Sequence, residues 1–251
     1  MKVLKKAGLF AAVFIGVVGL SACGGGGTSS PAVATATVSG TAATGAAIAG
    51  GSVSMSCVSG ASGIATTAAD GSYSLSVSGI TFPCVARVSY GTSDKLHSYV
   101  SAAGTANITP VTELLVANLT GGTAADAFDK FDATKAKALT TAQVTAAIAA
   151  VKAYLVTLGV SVTDFPADPI GAKLVAKAGT TDGDKFDKVL DDLQAKLKAA
   201  SKKLSEAVAE INKGTSSSAG TSTTTATAGA GTGCAGDVLA FFTKNKGSYP
   251  S

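Results

Sequence analysis

The chain has no tryptophan and a single histidine, His97, in 251 residues. Aromatic residues make up only 6 % of it, which leaves few rings on which a sugar or a base could stack. Basic clusters are missing as well, so a nucleic-acid partner is not expected. With one histidine, a Ser-His-Asp triad could run only through His97, and no G-x-S-x-G elbow accompanies it. His97 falls in an expected strand, and a strand-surface position is its expected place. No C-x-x-C or Cys/His cluster offers a metal site, and no glycine-rich stretch has the strand-to-helix setting and Lys-Ser/Thr of a phosphate loop. These absences point away from an enzyme and leave no catalytic residue, metal or cofactor to expect.

Charge is also missing from Ala7 to Ala22, a run of mostly Ala, Val, Leu, Phe, Ile and Gly behind Lys2, Lys5 and Lys6. The run falls short of the ~20 apolar residues of a membrane span and ends in glycines. It has the zones of an export signal over residues 1–22. Leu20-Ser21-Ala22-Cys23 then matches the lipobox of bacterial lipoproteins, in which the cysteine is lipidated and becomes the new N-terminus. The alternative is an ordinary secretory signal that leaves Cys23 a free thiol. The resemblance implies several acyl chains, hence a stable membrane anchor. Gly24, rather than aspartate, after the cysteine implies the outer membrane. Loss of the three lysines lowers the formal net charge from +4 to +1, so the basicity largely belongs to the signal. Residues 23–32 (Gly24 to Gly27, then Thr28-Ser29-Ser30-Pro31) read as a flexible tether.

In an oxidising compartment Cys57, Cys84 and Cys234 remain. Cys57 and Cys84 lie in one β-rich segment, which makes a disulfide between them the first choice over two buried thiols. Cys234 would be free, pair between molecules or displace one of the others.

Residues 33–106 carry short alternating runs divided by glycine. Thr35–Gly40, Ser52–Val58, Ser72–Val77, Pro83–Tyr90 and Leu96–Val100 are the candidate strands, with Asp70-Gly71 as a turn. Their number and spacing argue for an antiparallel β-sandwich, and the chain as a whole for an α+β fold. The run Val38-Ser39-Gly40, Gly45-Ala46-Ala47-Ile48-Ala49-Gly50-Gly51-Ser52-Val53-Ser54-Met55, then Thr67-Ala68-Ala69-Asp70-Gly71-Ser72-Tyr73-Ser74-Leu75, resembles carboxypeptidase regulatory-like domains, which are transthyretin-like sandwiches. Ala47, Gly51 and Ala68 depart from that pattern, where proline, alanine and aspartate are usual. The resemblance implies a fold and a non-catalytic accessory role. Thr105 to Leu115 is similar to the segment that follows this module in lipoproteins of β-proteobacteria.

Residues 107–213 change to helical periodicity. Expected helices cover Val111–Leu119, started by Pro110 and stopped by Gly121-Gly122; Asp126–Lys137, with Phe128 and Phe131 on one face; and Thr140 or Thr141 to Leu158, closed by Gly159. The third has Val144, Ile148, Val151, Leu155 and Leu158 as its stripe. Another helix is expected from Asp168-Pro169 to Ala178, and the longest from Asp184 to Asn212, with Gly214 beyond its end. Its near-heptad of Phe186, Leu190, Leu193, Leu197, Leu204, Val208 and Ile211 fits packing within the chain better than a coiled-coil dimer, since only about four heptads are present. Lys196, Lys198, Lys202 and Lys203 read as its solvated face, with a membrane-surface helix as the sharper alternative. Residues 214–233 read as a Ser/Thr/Ala/Gly linker and 234–251 as a C-terminal tail.

Asp182-Gly183-Asp184 with Asp187 lacks the spacing and the closing glutamate of a calcium loop, so helix capping is its expected role. Asp126, Asp129 and Asp132, among Lys130, Lys135 and Lys137, read as a mixed-charge surface. The function expected from all this is binding or scaffolding at the envelope, through a membrane anchor on Cys23 and an envelope protein or glycan partner. A glycan-binding module is the alternative, and a hydrolase using His97 the third reading.

Overall fold

The computed structural model describes residues 35–59 and 63–218; the expected signal, tether, Cys23, Cys234 and C-terminal tail lie outside them. The fold of the described residues is α+β, with strands first and helices after.

The strands are β1 (Thr35–Thr41), β2 (Ser52–Ser59), β3 (Ala65–Thr66), β4 (Ser72–Ser78), β5 (Thr81–Tyr90), β6 (Asp94–Val100) and β7 (Gly104–Thr105). They form two sheets, ordered β4-β1-β7 and β3-β2-β5-β6. Every ladder is antiparallel except the two-residue pairing of β7 with β1. Alternation fixes the faces. On β4, Tyr73, Leu75 and Val77 are buried while Ser72, Ser74, Ser76 and Ser78 are exposed. Those serines register with Thr41, Ser39, Thr37 and Thr35 of β1, so the outer face of this sheet is a double row of hydroxyls. In the second sheet Val53, Met55 and Cys57 of β2 register with Val88, Ala86 and Cys84 of β5, and these with Leu96, Ser98 and Val100 of β6.

The turn before β4 is built by Asp70, whose Oδ1 accepts hydrogen bonds from Ser72 N at 3.0 Å and Ser72 Oγ at 2.7 Å. Tyr73 donates its buried hydroxyl to the Ala106 carbonyl, tying β4 to the segment that leads into the helices. Gly40 is needed where β1 passes that segment: a Cβ there would lie 2.2 Å from Ala106 O.

Among the described residues the helices are α1 (Pro110–Thr120), α2 (Ala124–Asp129), α3 (Ala133–Ala138), α4 (Thr141–Thr157), α5 (Lys185–Ala199) and α6 (Leu204–Ser218). Helix α1 starts with a capping box between Thr109 and Thr112 and with Pro110 in its first turn. It is buried along most of its length and packs against β6, α4 and α6. Sheets and helices share one hydrophobic cluster that runs from Val38 to Ile211. Among the described residues no helix is long and apolar enough to cross a membrane.

Three expected helices are corrected. The one placed over Asp126–Lys137 is two, because extended Asp132 starts α3 by accepting from Thr134 N and Lys135 N. No helix forms from Asp168 to Ala178, because its backbone is bonded outward. The carbonyls of Ala172, Leu174 and Lys177 accept from Asn107 Nδ2 (2.7 Å), Thr41 Oγ1 (3.0 Å) and Ala47 N (2.9 Å). Its N–H groups at Val175 and Lys177 donate to Asp184 and Asp187. The long helix from Asp184 to Asn212 breaks at Ser201, which adopts a φ of 53° and turns the chain between α5 and α6. Helix α6 then continues through Gly214 to Ser218. Both helices keep their apolar faces within the chain: Phe186, Leu190, Leu193, Leu197, Val208 and Ile211 are all buried.

Candidate functional site

The chemically richest cluster lies where α1 and α2 cover the second sheet. Arg87 of β5 and His97 of β6 are cross-strand partners on the face opposite the Val88–Leu96 pair. His97 is 1 % exposed, which corrects the expectation of a strand-surface histidine. Both faces of β6 are covered, one by the shared core and the other by α1 and α2.

Glu113, in the first turn of α1, holds His97 twice. Its Oε2 accepts from the His97 backbone N–H at 2.7 Å and from Nδ1 at 2.8 Å. A carboxylate acceptor at Nδ1 places the proton there in the neutral ring and leaves Nε2 as the bare nitrogen. Nε2 is buried and has no partner. Thr112 completes the junction by donating its hydroxyl to the His97 carbonyl at 2.8 Å. Two side chains of one helix thus satisfy both backbone groups of one strand residue, which removes a pairing point from the outer edge of β6.

Phe128 of α2 sits on the same cluster, its ring centroid 5.8 Å from that of His97 and 3.9 Å from Arg87 Cζ. Arg87 Nη1 also reaches Asp129 Oδ1 at 3.3 Å, a largely exposed pair of little weight beside the ring contact. With His97 sealed, the arrangement locks helices onto a sheet and presents no imidazole to solvent. Ser98 Oγ lies on the opposite face of β6, so the adjacent hydroxyl does not meet the ring.

Cys57 and Cys84 face each other across β2 and β5 and are joined by a disulfide. Asp184 caps α5, its Oδ1 accepting from Asp187 N at 3.0 Å and its Oδ2 from Val175 N at 2.9 Å. Asp187 is buried; its Oδ2 accepts from Lys177 N at 3.1 Å and its Oδ1 has no partner. Its carboxyl is pushed up to about 6, chiefly by burial and further by the charges of Asp191 and Asp184. Asp182 is exposed. Asp126, Asp129 and Asp132 are separated in role: Asp126 pairs with Lys130 at 2.6 Å, Asp129 with Arg87, and Asp132 caps α3. Among the described residues no group of three or more His, Cys, Asp or Glu side chains could hold a metal ion.

Glu113 and Arg87 do not stand out in the sequence, and Phe128 shows there only as part of an apolar helix face with Phe131. The alternation of β5 and β6 puts Arg87 and His97 on one face, but nothing local shows that helices cover it.

No family model matches the chain, and neither the curated proteins nor the solved structures include a match.

Proposed function

We propose that this chain is a lipid-anchored, non-enzymatic protein of the bacterial outer membrane that binds or scaffolds another envelope component. The observation that carries the reading is Leu20-Ser21-Ala22-Cys23 at the end of an uncharged run behind three lysines. The two sheets read as the layers of a transthyretin-like sandwich of the carboxypeptidase regulatory-like kind. The inward alternation of β2 and β4, with the Asp70-Gly71 turn leading into β4 and Tyr73 buried on it, supports that reading. A sealed single histidine supports a role in binding over one in acid–base chemistry.

Metabolic labelling with radioactive palmitate tests the anchor. Label should enter the wild type and not Cys23→Ala, and the labelled protein should fractionate with the outer membrane; label retained by Cys23→Ala, or none in the wild type, would overturn it. Cross-linking in living cells followed by pull-down tests the binding role. A stoichiometric envelope protein supports scaffolding, recovered sugar without protein moves the case to glycan binding, and recovery of neither counts against both.

A further inference from the structure

We propose that the groove between β6, α2 and the α5–α6 corner receives an acidic, amphipathic peptide segment of a partner protein. The groove has a volume of about 780 Å³, and Leu197, Leu204 and Val208 lie among its apolar lining. Lys95, Lys198, Lys202 and Lys203 line it too, against two carboxylates, Asp94 and Glu113. Glu113 is engaged with His97, and Lys202 with Glu210 at 2.6 Å. Lys95, Lys198 and Lys203 are exposed and without an ion-pair partner among the described residues.

The start of α6 adds open N–H donors to this groove, with the Glu206 carboxylate beside them in the first turn. Lys203 stands just before the helix and brings no acceptor oxygen on its side chain; its own N–H is taken by Glu206 Oε2 at 2.6 Å. The N–H groups of Leu204 and Ser205 thus open the helix without a side-chain cap among the described residues, and the helix dipole is positive there. Ser201, held in a left-handed conformation, is the corner that turns Lys202 and Lys203 toward this groove rather than along a continuous helix. Positive rim, open helix start and apolar lining ask for one occupant, with carboxylates spaced along an apolar stripe. The groove is a concavity with the half-buried Leu204 in its lining, which favours a peptide over a planar bilayer. The inference rests on the binding reading but not on the anchor: palmitate incorporation tests the anchor, and peptide capture tests the groove.

The experiment pans a phage-displayed library of random peptides, about 12 residues long to match a groove-bound segment, against the full chain and against Lys95→Glu/Lys203→Glu. Selected peptides should combine Asp or Glu with Leu, Ile or Phe. They should bind the double variant roughly tenfold more weakly or worse, and should weaken on the wild type as salt rises. Lys203→Glu puts a carboxylate at the N-terminus of α6, where the dipole favours it, so loss of binding would not reflect loss of the helix. The salt series on the wild type keeps the test independent of the variant's folding. Peptides without an acidic bias, or acidic peptides that bind both proteins equally, would overturn the proposal. So would lysine-dependent binding to phosphatidylglycerol vesicles with no peptide selected, which would assign the lysines to a membrane.

Discussion

Gly159 and Ser201 occupy the same position at the ends of α4 and α5 and close them with the same hydrogen bonds. Gly159 N donates to Val156 O at 2.9 Å and Val160 N to Leu155 O at 2.9 Å; Ser201 N donates to Lys198 O at 3.0 Å and Lys202 N to Leu197 O at 2.9 Å. Their φ values are 76° and 53°. Both are the left-handed residue of a Schellman motif, where glycine fits without strain and serine does not. Ser201→Gly should therefore stabilise the protein by about 0.5–1 kcal/mol, and Gly159→Ala should destabilise it by about 1 kcal/mol or more. Urea unfolding of the two variants reads both signs. A Ser201→Gly protein no more stable than wild type would mean the serine makes a compensating interaction at the corner.

The same pair shows what the sequence discloses and what it hides. Gly159 announces the end of α4, because glycine after an apolar stripe is a stop signal. Ser201 announces nothing: the heptad from Phe186 through Leu204 to Ile211 continues across it, and only packing breaks the helix there. The five main strands were legible from alternation and the Asp70-Gly71 turn. The two-residue strands β3 and β7 were not, since each is defined by its partner rather than by its own residues. The segment from Asp168 to Ala178 looks helical because its bonds to Asn107, Thr41, Asp184 and Asp187 are invisible in a linear reading. His97 was misplaced for the same reason: the residues that cover it, Thr112, Glu113 and Phe128, lie on helices further along the chain.

Glu113 should be the most sensitive single residue at the sheet–helix junction. Glu113→Ala leaves the His97 N–H and Nδ1–H without their acceptor in a buried setting, and should lower stability by roughly 2–4 kcal/mol. Glu113→Gln keeps one acceptor oxygen and should be milder. His97→Ala retains the backbone bond, so a double-mutant cycle with Glu113→Ala should show coupling of about 1 kcal/mol or more. Additive losses in thermal or urea unfolding would mean the side-chain bond contributes nothing.

Reduction should weaken the β2–β5 pairing. The Cys57–Cys84 bridge spans a sequence separation of 27 residues. A loop of that length gives a chain-entropy stabilisation of about 3–4 kcal/mol. Cys57→Ser/Cys84→Ser should lose stability on that scale, and dithiothreitol should shift the wild type toward the variant. Identical unfolding midpoints with and without the reductant would contradict this.

Asp187 sets a pH dependence whose sign follows from its surroundings. Facing its carboxyl are Asp184 and Asp191 on its own helix and the Lys177 backbone N–H and side chain on the neighbouring segment. Burial and the two like charges outweigh the opposing effects of Lys177 and hold the group at about 6, above its ordinary value of 3.8. The folded chain therefore keeps this proton more tightly than the unfolded chain does. The stabilisation is fully present below about pH 4 and is lost as the pH rises through about 6. Asp187→Asn carries no titrating group, so its stability relative to wild type should rise between these limits, by something on the order of 1–2 kcal/mol. The comparison requires the difference between the two proteins. Exposed carboxyls such as Asp126, held low by the Lys130 hydrogen bond, add a slope of the opposite sign to both. Urea unfolding of both proteins from pH 4 to pH 7 gives that difference directly. If the difference stays flat across the range, the folded and unfolded chains hold the Asp187 proton equally and burial does not raise this carboxyl.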